Sequence, residues 1–414
     1  MCNLSVAVMM ALYTSTPAVD AAPPKKDVER LELAGLPAVN YDSNLGHGFG
    51  AIVNLAKFAP GADPYRWRVT TQAFASAKGA PGGGVEIPFQ QHYIVVDIPD
   101  FLIPDFRVLL TGRFERQINA GYFGIGNASR QQRPEGAFDP ESDEYAAAAR
   151  FHQYDRIYPT ARIDVRYGLF GDVEAFGGAR LVYNFLNLYP GSNLEADVAN
   201  ADLPVDVVGA ERHGQLEGYA GLIYDSRDHE FHPTHGAFHE VSFRAGKLIE
   251  SPESYGGVNV NLRAYRAVAG DYLVIAGRLM ADILLGDAPF YELNLHGGLT
   301  PADALAGSRA IRGPPQGRFA GKVKIIGNLE LRSKWWSFEM FGQDSSLGTV
   351  AFFDTGRVWA ELGSRPELDG EGLGLKYGVG GGVRLQWGET FIVRGDTGWS
   401  PDGLATFINI NHIF

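Results

Sequence analysis

A chain of 414 residues with 45% hydrophobic content can bury a large body, yet no uninterrupted apolar run approaches the roughly 18 residues of a membrane-spanning helix, which excludes helical insertion. Its 52 glycines and 12% aromatic residues, with Tyr and Phe far outnumbering Met and Cys, suit many strands and turns rather than a helical core. A net charge of -12 argues against non-specific nucleic-acid binding, which needs a basic footprint to neutralise phosphate.

The chain opens with an apolar stretch from Val6 to Tyr13 and then the small-residue region Val19-Asp20-Ala21-Ala22, which together read as a secretory signal peptide over residues 1–21. No Lys or Arg precedes the apolar stretch, so only the amino terminus supplies the positive charge. Cleavage there would remove Cys2, the sole cysteine, and no disulfide is expected in the mature fold. Residues 22–35, with Pro23-Pro24-Lys25-Lys26, read as a periplasmic linker, with a helical turn or two over Asp27 to Leu33.

From 36 to 414 the pattern becomes an apolar/polar alternation in segments of about ten residues, as required of strands with one face in lipid and the other in water. This predicts an all-β, sixteen-stranded antiparallel transmembrane β-barrel. The first eight strands are expected at 36–43, 47–58, 66–77, 89–98, 104–116, 147–167, 173–187 and 214–226. The second eight fall at 235–247, 257–269, 271–286, 322–334, 347–359, 375–387, 391–399 and 404–414. The long connections 117–146, 188–213, 287–321 and 360–374 all fall on one side. Brief turns near Pro60, Gly171, Gly270, Gln343 and Gly388 fall on the other, the asymmetry of a barrel with both termini periplasmic.

Two stretches show the faces best. From Lys322 to Trp335, Lys324, Asn328, Glu330 and Arg332 point inward while Val323, Ile325, Leu329 and Leu331 point outward. From Leu375 to Trp387, Gly378, Gly380, Gly382 and Arg384 form a nearly bare inner face. All six tryptophans fall at expected strand ends, the headgroup level that amphipathic rings favour. Inward positions carry many arginines, among them Arg107, Arg113, Arg162 and Arg180, so the lumen is expected to be locally basic despite the acidic total.

The third long outer connection contains Ser308-Arg309-Ala310-Ile311-Arg312-Gly313, then Gly317-Arg318-Phe319 and the strand with Gly327-Asn328-Leu329-Glu330-Leu331-Arg332. Further matches are Tyr122-Phe123-Gly124-Ile125-Gly126-Asn127, Tyr224-Asp225-Ser226-Arg227-Asp228, Phe352-Phe353-Asp354-Thr355-Gly356-Arg357 and Gly378-Val379-Gly380-Gly381-Gly382. In this order they resemble the BamA and TamA superfamily, which also takes in two-partner-secretion transporters and bacterial surface antigens. The resemblance implies an outer-membrane barrel with an inward-folded long loop before strand 12. It also implies that Arg312 meets Glu330 and Asp354 on the inner wall, a bidentate guanidinium–carboxylate arrangement that fixes orientation as well as distance. Gly313 would permit close approach, and Gly378, Gly380 and Gly382 would leave room for the loop, although curvature alone is an equal reason for glycine there.

The last segment, with Phe407, Ile410, His412 and Phe414, is similar to the carboxy-terminal signal by which the barrel assembly machinery recognises its clients. Relatives that insert or export proteins carry periplasmic polypeptide-transport-associated (POTRA) domains, and the short stretch before the first expected strand has no room for one. The resemblance thus implies a short member that assists insertion or transport of a polypeptide or lipid-linked substrate, with a separate periplasmic partner and with outer-membrane lipid and lipopolysaccharide around it. A passive channel or structural barrel plugged by its own loop is the alternative, and an outer-membrane enzyme the third. No nucleophile elbow is visible, and Pro233 and Gly236 prevent the regular helix that would align His229, His232, His235 and His239, so no enzyme, metal or cofactor is expected.

Overall fold

The computed structural model describes residues 29–410, apart from 43–44, 63–64, 130–133, 135–138, 140–143, 271, 341–342 and 388–390, together with 412–414. The expected signal peptide and most of the linker lie outside the described residues. Sixteen wall strands are present: β1 Arg30–Asp42, β2 Gly46–Phe58, β3 Trp67–Gly79, β4 Phe89–Ile98, β5 Phe106–Gly121, β6 in two pieces, Gln153–Ile157 and Thr160–Phe170, β7 Val173–Leu188 and β8 His213–Asp225. They continue with β9 His235–Ile249, β10 Ser254–Ala269, β11 Leu273–Gly286, β12 Val323–Met340, β13 Gln343–Trp359, β14 Lys376–Trp387, β15 Phe391–Ser400 and β16 Gly403–Ile410. Each pairs antiparallel with its neighbour in sequence, and β1 pairs with β16 to close the barrel.

The burial pattern inverts that of a water-soluble protein. Along β9, Val241 and Phe243 are exposed on the outer face while Glu240, Ser242 and Arg244 are buried within. Leu279, Leu329, Phe353 and Val383 repeat this exposure on other strands. Such an apolar outside is stable only against hydrocarbon, and no described helix is long and apolar enough to cross a membrane, so the strands make the crossing.

Four expectations are corrected. Residues 30–35 are the start of β1, not linker or helix: Arg30 pairs with Phe58 and Leu33 with Leu55, with Leu31 and Leu33 exposed. Pro37, which has no amide hydrogen to donate, lies where β1 pairs with β2 alone among the described residues. The sixth strand does not begin at 147: Tyr145–Ala149 is a short helix, favoured by its alanines, and the strand breaks at Pro159 between the two pieces of β6. Strand β12 continues to Met340, paired with Gln343, so Trp335 and Trp336 lie inside it rather than at its end, where the β12–β13 hairpin projects past Leu273 of β11. The last strand ends at Ile410, not 414, and the chain then turns into the lumen, where Ile413 and Phe414 pack against Tyr265 and Ala276.

Because closure leaves few free strand edges, the purified chain in detergent is expected to give a β-type circular dichroism spectrum and to migrate differently on gels before and after boiling. Identical migration, or a monodisperse soluble protein without detergent, would contradict the barrel.

Candidate functional site

The connection between β11 and β12 folds into the barrel. It contains a single 3-10 turn, Phe290–Glu292, and a two-residue hairpin pairing Leu295–His296 with Ala302–Asp303. Beyond the hairpin, Leu305, Ala306, Ala310, Ile311 and Phe319 form one buried cluster with Met280 of β11, Ile326 of β12 and Val358 of β13. This apolar contact holds the loop against one half of the wall and brings its tip to mid-lumen.

Arg312 stands at that tip with no solvent exposure. Its Nε and Nη2 donate to Asp354 Oδ2 and Oδ1 at 2.8 and 2.9 Å, and its backbone amide donates to Oδ2 at 3.2 Å. Its Nη1 donates to Glu330 Oε1 at 2.7 Å and to Asp396 Oδ2 at 3.2 Å. The Phe352 ring lies 3.4 Å below the guanidinium carbon. Burial alone would push the Arg312 guanidinium down, but Glu330, Asp354 and Asp396 outweigh it and hold the group charged. Each carboxylate has further donors: Arg332 Nε on Glu330 at 2.8 Å, Arg384 Nη1 and Arg394 Nη1 on Asp396 at 2.6 and 2.9 Å, and Asn328 Nδ2 on Asp354 at 2.8 Å. Loop carbonyls are held as well, that of Ser308 by Arg394 and that of Arg309 by Arg278.

The glycines have separate tasks. A Cβ on Gly378 would stand 2.2 Å from the Arg312 carbonyl oxygen, so this residue cradles the loop backbone, and Gly398 of β15 does the same with a 2.6 Å approach. Gly380 makes room for the Phe352 ring and Gly382 for the Asp396 carboxylate. Gly313 has φ +132°, a conformation that L side chains rarely adopt, and a Cβ there would crowd Trp399 and Ser400. Gly378→Ala is therefore expected to raise protease cleavage within 287–322, because the group it would strike, the Arg312 carbonyl, is backbone and cannot rotate aside. Gly277→Ala, where a Cβ meets nothing within 4 Å, should not.

Asp396, Phe352 and Gly398 were not singled out by the sequence reading. Inward parity along β15 was the available signal, since Arg394 and Asp396 share one face. The carboxy-terminal residues are placed differently from a lipid-facing aromatic row. Phe407 is buried, the Phe414 ring lies 5.2 and 5.1 Å from the guanidinium carbons of Arg278 and Arg332, and its carbonyl accepts from Arg332 at 2.9 Å. The Ile410 side chain lies outside the described residues, and His412 sits beside Ile413 at the start of this inward turn. In the turn after β8, Asp225 pairs with Arg227 at 2.6 Å and Asp228 accepts from the amides of Thr234 and His235. No cluster of metal-ligating side chains occurs among the described residues.

A closed sixteen-stranded barrel with a luminal loop locked before strand 12 defines a class of outer-membrane proteins. The Omp85 superfamily domain matches residues 128–402, more than half of the chain, and the chain belongs to that superfamily and to the outer membrane. Among solved structures, BamA from Haemophilus ducreyi lacking POTRA domains 1-3 is 15% identical at TM-score 0.56, over 93% of this chain and 70% of that one. CdiB from Escherichia coli is 12% identical at TM-score 0.56, over 94% of this chain and 63% of that one. At such identities the likeness is one of fold. No curated protein matches the sequence.

Proposed function

We propose that this barrel assists the insertion or movement of a polypeptide or lipid-linked substrate at the outer membrane, with a separate periplasmic partner. The observation that carries the reading is the seam. Strands β1 and β16 share two register pairs, Tyr41 with Ile408 and Asp42 with Phe407, against thirteen between β1 and β2 and eight between β15 and β16. From Asn40 down, β1 has no described partner from β16, whose last strand residue is Ile410. Such an edge offers unpaired amides and carbonyls to an incoming strand, and each hydrogen bond at the seam contributes only about 0.5–1.5 kcal/mol net. Arg312 and its carboxylates keep the loop fixed while the seam yields. The chain itself enters the membrane as a client of the barrel assembly machinery.

The test is insertion of an outer-membrane substrate into liposomes holding the purified barrel, together with pull-down of a periplasmic protein from native membranes. Loss of neither activity nor partner on deleting the chain would sink the reading. The second reading, a passive or structural barrel stoppered by its own loop, is favoured by the complete burial of the Arg312 network. It predicts no substrate insertion and no partner.

A further inference from the structure

The wall ends unevenly at its periplasmic rim. Strand β12 runs to Met340, but its pairing with β11 stops at Ser333, opposite Leu273. The Lys334 amide donates to the Tyr272 carbonyl at 2.9 Å, and beyond it no described backbone group reaches Trp335–Met340 from the β11 side. On the other side the same stretch stays paired with β13, Trp336 with Leu347 and Met340 with Gln343. At about 3.3 Å per residue, Met340 stands roughly 20 Å along the strand from Ser333. Tyr272, Trp335 and Trp336 are exposed, and such rings favour the headgroup level. Ser337 to Met340 therefore continue below that level into the periplasm.

An edge so placed offers unpaired amides and carbonyls, and proteins blunt such edges with lysine, proline or a covering segment. Trp335-Trp336-Ser337-Phe338-Glu339-Met340 contains neither residue, and no described segment covers it. The edge also carries uncompensated charge. Glu339 and Asp344 are register partners, so two exposed carboxylates stand opposite each other, a placement that destabilises a sheet. Among the described residues no cation lies within ion-pair distance of either. On the opposite face the rings of Trp336 and Phe338 lie 4.9 Å apart between centroids. An added strand would complete the edge hydrogen bonds. Its basic side chains would meet Glu339 and Asp344, and the apolar ones alternating with them would meet Trp336 and Phe338. A second copy of this chain fits badly, because edge-to-edge pairing would bring the carboxylates of both copies together.

We propose that Trp335–Met340 is a periplasmic docking edge that takes up an extended, Lys- or Arg-bearing segment of a periplasmic polypeptide as an added strand. The proposal rests on the reading that the barrel works with a separate periplasmic partner, and it names where and how that partner binds. The site lies at β12, away from the β1–β16 seam, so a docked partner leaves the seam free.

The full chain, with Ser337 replaced by the photoreactive benzoylphenylalanine, is crosslinked in its native membrane and the captured peptide is sequenced by mass spectrometry. The expected product is a periplasmic protein joined through a segment that contains Lys or Arg. Glu339→Lys combined with Asp344→Lys should lower the yield roughly tenfold or more, since like charges across an interface repel. Glu371→Lys, exposed on the outer connection 360–374, should leave it unchanged. A boiling-dependent gel shift verifies that each variant is folded. In the isolated complex, amide exchange over Trp335–Met340 should slow relative to the chain alone, because an added strand protects backbone amides and a side-chain contact does not. No capture, capture of a second copy of this chain, a yield indifferent to the charge reversal, or unchanged exchange would each overturn the proposal. A partner recovered by pull-down but bound equally by the charge-reversed variant overturns this docking edge and leaves the insertion reading standing, whereas the absence of any partner by either route removes both.

Discussion

Arg312→Ala is expected to release the loop, exposing 287–322 to protease and lowering stability by about 3–5 kcal/mol, the cost typical of breaking a buried charge pair from one side. An exposed pair would give roughly 0–1 kcal/mol, so the size of the effect reports where the arginine sits. The partners that remain decide how the variants rank. Without Arg312, Glu330 keeps Arg332, and Asp396 keeps Arg384 and Arg394, but Asp354 keeps two neutral donors, Asn328 and the backbone amide of residue 312. The penalty therefore concentrates on Asp354. Asp354→Ala, by contrast, leaves Arg312 with Glu330 and Asp396 and should cost less. The double variant should be less than additive, since removing Asp354 also removes the charge that Arg312→Ala strands. Arg312→Lys should fall short of wild type because one ammonium cannot span both Asp354 oxygens. Silent single variants, or a wild-type loop already open to protease, would show that the lock has no role.

Much of this geometry was legible before any coordinates. Alternation exposed sixteen strands because lipid on one face and water on the other impose a strict period of two. Glu330 and Asp354 were assigned inward on that ground. Alternation says which face a side chain takes, not whether its segment belongs to the wall. Residues 411–414 alternate like a strand, yet Ile413 and Phe414 are drawn inside by Tyr265, Ala276 and Arg332. Arg30-Leu31-Glu32-Leu33 alternates too, but over so short a window a helical turn fits equally well, and pairing with β2 decides it. Asp396 escaped notice because parity along β15 gives only its face, whereas its contact with Arg312 spans 84 residues. The inward fold of the loop brings the two together, with Gly382, the register partner of Asp396, leaving room for its carboxylate.

A disulfide across the seam should separate the gate from the plug. Tyr41 and Ile408 are register partners, and antiparallel partners stand about 4.5–5.5 Å apart at Cα, inside the range of roughly 4.4–6.8 Å that a disulfide accepts. With Tyr41→Cys and Ile408→Cys, and Cys2 replaced by serine, oxidation replaces two weak register pairs with a covalent bond. The barrel should still form, because both residues already sit where the bond would place them, so the gel shift on boiling and the protease resistance of the loop should persist. Substrate insertion should nevertheless be abolished under oxidising conditions and return on reduction, since an edge that cannot part from β16 cannot admit another strand. Undiminished insertion by the fully oxidised barrel would mean that the short seam is not a gate, and the passive reading would then hold.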